Sequence, residues 1–155
     1  MNDAILAGIK NFIPIDDTVG LAGLPTAAQF AAVRGAGYEA VVNLLPREQD
    51  NALKEEEALV RDLGMTYHYI PVIWTSPQRA DFETFCDAMR ALAGKKTFIH
   101  CAMNMRVTVF YGSYAMKHLG WSAAQADALV SRIWDADARY TMNDTWRAFL
   151  ASLRA

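Results

Sequence analysis

The sequence predicts an α/β fold, and three observations predict it. Strand-like and helix-like segments alternate along the chain. Its 155 residues suit one domain, spanning 1–155, with enough core to fold alone. The composition, 53% hydrophobic and 21% charged, is that of an ordinary globular protein, and no repeat, low-complexity tract or linker divides it.

The elements follow in order. Residues 11–15, "NFIPI", and 19–22, "VGLA", are short extended pieces. "GLPT" opens a helix through Phe30, Ala31 and Val33 that ends near Gly35–Gly37, with Pro25 suited to the opening. "YEAVVNLL", residues 38–45, is an apolar, β-rich run stopped by Pro46. "NALKEEEALVRDLG" is predicted helical, because Leu53, Leu59, Val60 and Leu63 share a face and Gly64 sits where a helix-ending glycine belongs. Residues 66–72, "TYHYIPV", form another strand.

"SPQRADFETFCDAMRALAG" predicts a helix with Ser76 as N-cap and Pro77 in the first turn. Phe82, Phe85, Cys86, Met89 and Leu92 recur at helical spacing, which makes Cys86 a core residue rather than a second reactive thiol. "KTFIH", 96–100, is a short strand, and an apolar helix runs from about Met105 to Leu119, closed by Gly120. Ser122 and Gln125 make a capping box for the next helix. The last helix, roughly 144–154, puts Trp146, Phe149, Leu150 and Leu153 on one side. "DADARYTMNDTW", before it, marks only a boundary at Asn143 or Asp144. The total is about four main strands and five or six helices.

Several function classes drop out early. A net charge of −2 gives no support to a nucleic-acid or polybasic membrane role. No apolar run approaches the roughly 18–20 residues of a spanning helix. "MNDAILAGIKNF" lacks a basic leader region and carries Asp3, so no signal peptide is expected. Cys86 and Cys101 are the only cysteines, which fits a reducing, cytoplasmic setting better than a disulfide framework. Two cysteines and three scattered histidines (His68, His100 and His118) have no paired ligand spacing, so neither a metal nor another cofactor is expected.

One stretch carries chemistry: "KKTFIHCAMNMRVTVF", residues 96–111. A buried strand ends in His100-Cys101, a helix begins within about five residues, and Arg106 stands at its start. Free N–H groups at such a turn, together with the helix dipole, favour negative charge at one spot. A cysteine there is expected to ionise more readily, helped by Arg106. The same donors can hold an oxyanion, with the planar guanidinium gripping two oxygens. The sequence therefore offers a nucleophile and a transition-state clamp together. A small buried cysteine closing a strand is the plain alternative. His100 favours function, since its imidazole can bond the loop backbone and help hold the thiolate, although it too could be a core histidine.

"IHCAMNMRVT" resembles the signature loop of the cysteine-dependent tyrosine and dual-specificity phosphatases. The upstream order is similar to that of small bacterial phosphatase-like proteins: "LAGLPTAAQF", then "AVVNLLP", then "YHYIPV". The resemblance covers about residues 11–133. It implies a phosphatase-like three-layer fold, with a central parallel or mixed sheet of four or five strands flanked by helices. It implies Cys101 as nucleophile and Arg106 as phosphate-binding residue. The loop residues Ala102, Met103, Asn104 and Met105, with His100, would then form the cradle for a phosphorylated protein or small molecule.

Three departures from that pattern stand out. Only four residues separate Cys101 from Arg106, one fewer than in the signature, and Val107 stands where its arginine would fall. The loop has no glycine, so Asn104 is the residue suited to turning the backbone through positive φ. The general acid expected after the "IPV" strand is replaced by Ile73-Trp74-Thr75-Ser76, and the nearest carboxylate is Asp81, better read as a solvated helix residue. The short loop also resembles that of rhodanese sulfurtransferases, which need no such acid and would carry a persulfide on Cys101. A cradle that binds anions without catalysis is a third reading. Thr108 is a candidate to assist thiolate departure. Trp74 is placed to stack on an aromatic substrate or pack as a lid. Arg47 and Glu48 border the site or lie in a solvated loop.

Overall fold

The computed structural model describes residues 2–155. Five strands form one mixed sheet: β1 (Ile13–Pro14), β2 (Val19–Ala22), β3 (Ala40–Asn43), β4 (Thr66–Tyr69) and β5 (Thr97–His100). Their order across the sheet is β1-β2-β5-β3-β4. β1 runs antiparallel to β2, and the other pairings are parallel. β5 therefore lies in the middle, flanked by β2 and β3, and all four of its residues are buried. Burial on both faces is why β3 and β5 read as apolar runs rather than alternating ones.

Seven α-helices cover the sheet: α1 (Asn2–Ala7), α2 (Ala27–Gly35), α3 (Glu56–Asp62), α4 (Arg79–Ala91), α5 (Met105–His118), α6 (Ala123–Trp134) and α7 (Asp144–Arg154). The alternation of side chains along a strand separates two cores. Val41 and Phe98 pack with Leu6, Phe30 and Val60 beneath α1–α3. Val42, Ile99 and Cys101 pack with Phe85, Phe110, Ile133 and Trp146 beneath α4–α7. The three-layer architecture and its mixed five-stranded sheet match the expectation from the resemblance.

Local signals account for most boundaries. Thr26 with Gln29, and Ser122 with Gln125, form capping boxes at α2 and α6. Gly64 and Gly120 end their helices at positive φ (89° and 74°). Asn143 caps α7 by accepting from the Trp146 amide. Cys86 is 4% exposed on α4, and burial pushes its thiol up to about 11.

Three expectations need correction, and one helix is new. Pro25 precedes the Thr26 cap instead of occupying the first turn of α2. The helix over "NALKEEEALVRDLG" is confined to α3, because residues 46–55 are drawn into successive turns, in which Gln49 N–H donates to Pro46 O and Lys54 Nζ donates to the carbonyls of Arg47 and Gln49. The cap of α4 is Gln78, not Ser76: the Ser76 hydroxyl accepts from Gln78 Nε2 rather than from a helix amide. α1 was not anticipated at all; Leu6 and Ile9, buried beneath it, are too few to give a periodic signal.

Candidate active site

Open α/β sheets place sites at the carboxyl ends of their parallel strands, and three strands deliver residues to one such edge here. β5 ends directly in Cys101. The connection after β3 carries Gln49. The one after β4 carries Val72 and Trp74. Cys101 is fully buried at the foot of the loop. Above it lies a cleft of about 360 Å³ lined by Gln49, Trp74, Ala102, Met103, Met105, Arg106 and Tyr140. A larger cavity, about 750 Å³, sits against Phe12, Asp16, Tyr38 and Lys96, away from this edge.

Asn104 makes the turn that a glycine would otherwise supply: its φ is 68°, in the left-handed region. Its side chain then anchors the loop. Asn104 Nδ2 donates to Asn11 O (2.8 Å), and Asn11 Nδ2 donates back to Met103 O (3.0 Å). The "GLP" segment, tied to the Asn11 side by the Gly23 N–H on Lys10 O (2.7 Å), braces the loop further, where the Leu24 N–H donates to Ala102 O at 3.0 Å. A Cβ on Gly23 would meet that carbonyl oxygen at 2.4 Å, so only glycine allows the approach. α5 begins at Met105 and Arg106, whose amides have no acceptor within the helix.

Arg106 is 3% exposed. Burial pulls its guanidinium below the usual arginine range, and interaction with Cys101 opposes that shift. Nε donates to Val72 O (2.9 Å) and Nη2 to Gln49 Oε1 (2.7 Å). The guanidinium lies 5.1 Å from the Trp74 ring. Two donors expected to grip a substrate are thus engaged by the protein itself.

Trp74 stacks on Trp134 (5.6 Å) and leans on Trp146 (5.2 Å). Trp134 Nε1 donates to Met105 O and Trp146 Nε1 to Trp74 O, so α6 and α7 hold both the loop and the cleft wall. Tyr140, from the 3₁₀ turn Ala138–Tyr140 within "DADARYTMNDTW", completes that wall.

Asp81, Thr108, His100 and Arg47 do not line the cleft. Asp81 lies in the first turn of α4 and does not line the cleft; partial burial raises its carboxyl, while the Gln78 backbone opposes that shift. The Thr108 hydroxyl is buried and donates to the carbonyls of Asn104 (3.0 Å) and Met105 (3.1 Å), an i−4 bond that spends its proton on the helix. His100 points to the face opposite Cys101, as strand alternation requires, and packs edge-on against Phe30. Its Nδ1 still reaches the Cys101 carbonyl (3.1 Å), and its Nε2 meets Glu56 (2.7 Å). Arg47 lies over the Tyr69 ring and pairs with Glu57 outside the cleft.

Sequence reasoning missed Gln49, Glu56, Trp134 and Tyr140. None has a motif, and each is brought in by the course of the chain. For Glu56 a signal existed: one of three consecutive glutamates falls on the side of α3 facing the sheet.

No family model matches the chain. Among solved structures, a candidate phosphatase of the DUF442 class from Shewanella putrefaciens CN-32 is 32% identical, covering 96% of this chain and 91% of that one with a TM-score of 0.82. A second structure of the same description is 29% identical, with coverages of 97% and 95% and a TM-score of 0.85. TpbA of P. aeruginosa shares the fold at 18% identity, with coverages of 94% and 84% and a TM-score of 0.68. A curated relative, the beta-lactamase hydrolase-like protein of Xylella fastidiosa (strain Temecula1 / ATCC 700964), is 29% identical over 102 residues, 64% of this chain. The chain spans only 23% of that relative's length. With the three-layer sheet and the Cys-Arg loop, the likeness at 32% identity means that the chain belongs to the DUF442 phosphatase class, and the less similar tyrosine phosphatases share its fold.

Proposed function

We propose that the protein is a cysteine-dependent phosphatase acting on phosphate monoesters with good leaving groups, aryl phosphates above all. The observation that carries this reading is a single cradle: Cys101 directly after β5, the turn through Asn104, and the α5 N-terminus with the buried Arg106 in its first turn. The Cys101 thiolate attacks phosphorus, an S–P bond forms and the P–O ester bond breaks, releasing the alcohol or phenol. Water then cleaves the S–P bond, freeing phosphate and restoring the thiol. Loop amides and Arg106 stabilise the equatorial oxygens. Among the described residues no carboxylate lines the cleft, so the leaving group departs without a protein proton donor and takes its proton from water, which favours phenols over alkyl alcohols. Trp74, Met103, Met105 and Tyr140 give an aryl group an apolar wall.

A second reading, sulfur transfer through a Cys101 persulfide, is favoured by one observation. Nε and Nη2 of Arg106 are already held by Val72 and Gln49, and a terminal sulfur needs less of the guanidinium than a phosphoryl group does. Hydrolysis of an aryl phosphate and transfer of sulfur from thiosulfate to cyanide, each measured with Cys101→Ser alongside, separate the two. Cysteine-dependent phosphate release is the expected result. Cysteine-dependent thiocyanate formation without phosphate release would replace it with the second reading, and neither activity, with phosphate still bound, would leave an anion-binding module.

A further inference from the structure

Behind the loop runs a chain of hydrogen bonds whose direction is fixed at both ends. The Leu45 N–H donates to Asn43 Oδ1 (2.8 Å), so the other terminal atom of Asn43 is its amide nitrogen. That nitrogen donates to Tyr67 Oη (3.0 Å), and Tyr67 in turn donates to Glu56 Oε2 (2.8 Å). From the other side, the Cys101 carbonyl can only accept, so His100 Nδ1 carries a proton towards it (3.1 Å). Between Glu56 Oε2 and His100 Nε2, 2.7 Å apart, lies one shared proton. One carboxylate oxygen thus accepts from Tyr67 and shares a proton with His100.

The four side chains are buried: Asn43 and Glu56 are each 4% exposed, Tyr67 8% and His100 0%. Burial and the neighbouring Glu56 push the Tyr67 phenol above its ordinary range, so it stays a donor. Of the other groups around this chain, Phe30 and Phe98 are apolar, Arg47 acts on the Tyr67 phenol, and Arg61 Nη2 donates to the Tyr67 carbonyl (3.4 Å). A second cavity, of about 320 Å³, reaches Asn43, Glu56 and Tyr67 and shares no lining residue with the Arg106 cleft.

We propose that Glu56 is a positioning residue for Cys101: through His100 it fixes the Cys101 carbonyl, and with it the peptide from which the loop departs. Glu56 touches no reacting atom. The proposal rests on the phosphatase reading only for its kinetic consequence. Its chemistry demands a carboxyl group, because one amide atom cannot both accept from Tyr67 and donate to His100. In Glu56→Gln, either the Tyr67 bond is lost or His100 moves its proton to Nε2 and leaves Nδ1 bare against the Cys101 carbonyl. Removing the Tyr67 hydroxyl as well relieves the conflict: the new amide nitrogen can face His100 Nε2, and the Nδ1 proton returns.

The test compares wild type, Glu56→Gln, Tyr67→Phe and the double variant, with nitrogen NMR of the His100 ring, aryl phosphate kinetics and thermal melts. Glu56→Gln is expected to change the His100 ring signals and lower kcat about tenfold with little change in KM. Tyr67→Phe keeps the carboxylate and the ring signals, with a loss of no more than about threefold. The double variant is expected to restore the ring signals and most of the lost kcat. Unchanged ring signals in Glu56→Gln, or a folded double variant no better than Glu56→Gln, would overturn the proposal. Failure of the phosphatase reading is visible separately, as a wild type that hydrolyses nothing while its His100 signals still respond to Glu56→Gln.

Discussion

Gln49 shows what a single residue can decide in this cleft. Its Oε1 accepts from Arg106 Nη2 at 2.7 Å, where a phosphoryl oxygen would bind. On the proposed phosphatase reading substrate displaces it, so Gln49→Ala is expected to tighten inhibition by inorganic phosphate about three- to tenfold. An unchanged inhibition constant would mean that Gln49 and phosphate do not compete. Cys86 gives a second prediction. Its folded thiol is pushed up to about 11 from an ordinary 9, so between those values the unfolded chain ionises first and stability falls as pH rises. Cys86→Val is expected to flatten the decline in Tm over pH 9–11; an unaltered slope would exclude this thiol as its source. Cys101, Arg106 and Asn104 were legible in the sequence because strand, turn and helix signals surround them. Gln49 was not, because nothing local distinguishes it from a solvated loop residue. Asp81 was readable as a helix residue rather than an acid, because it falls within the helical apolar spacing of α4, and it stands in that helix's first turn away from the cleft.

At the scale of elements, the loop is set by its neighbours as much as by its own residues. Asn104 takes positive φ at a cost of about 1–2 kcal/mol for a residue with a Cβ, which its side-chain bond to Asn11 helps offset. Asn104→Ala keeps the strain and loses the bond, whereas Asn104→Gly loses the bond alone. The alanine variant is expected to melt lower than the glycine variant, by an amount equivalent to about 1 kcal/mol. Equal melting points would show that the left-handed turn is not what Asn104 supplies. Trp134 and Trp146, from two later helices, hold the loop and the Trp74 wall. The sequence predicted those helices well, from a capping box and a clear apolar face. It could not show that the tryptophans' N–H groups reach back to the catalytic edge, since that depends on how the helices dock. α3 was drawn too long for a similar reason: the Lys54 bonds that coil residues 46–55 into turns are not visible as a pattern.

For the whole molecule, the sheet order explains why one edge carries the chemistry. β5 sits between β2 and β3, so its end is covered by the Gly23–Leu24 brace on one side and the Gln49 connection on the other. The two faces of the sheet then divide the work: Cys101 lies with the large core under α4–α7, and His100 with Glu56 under α1–α3. The architecture was readable from the alternation of elements and from the order of short motifs. The division between faces follows from the two-residue period of β5 and could have been read the same way. The proposed chemistry passes through a covalent phosphoryl group on Cys101. Acid quenching during turnover of an aryl phosphate, followed by mass analysis of the Cys101 peptide, tests it most directly. The prediction is a phosphoryl adduct on Cys101 that is absent from Cys101→Ser. Steady phosphate release with no adduct on Cys101, or release that persists in Cys101→Ser, would contradict it.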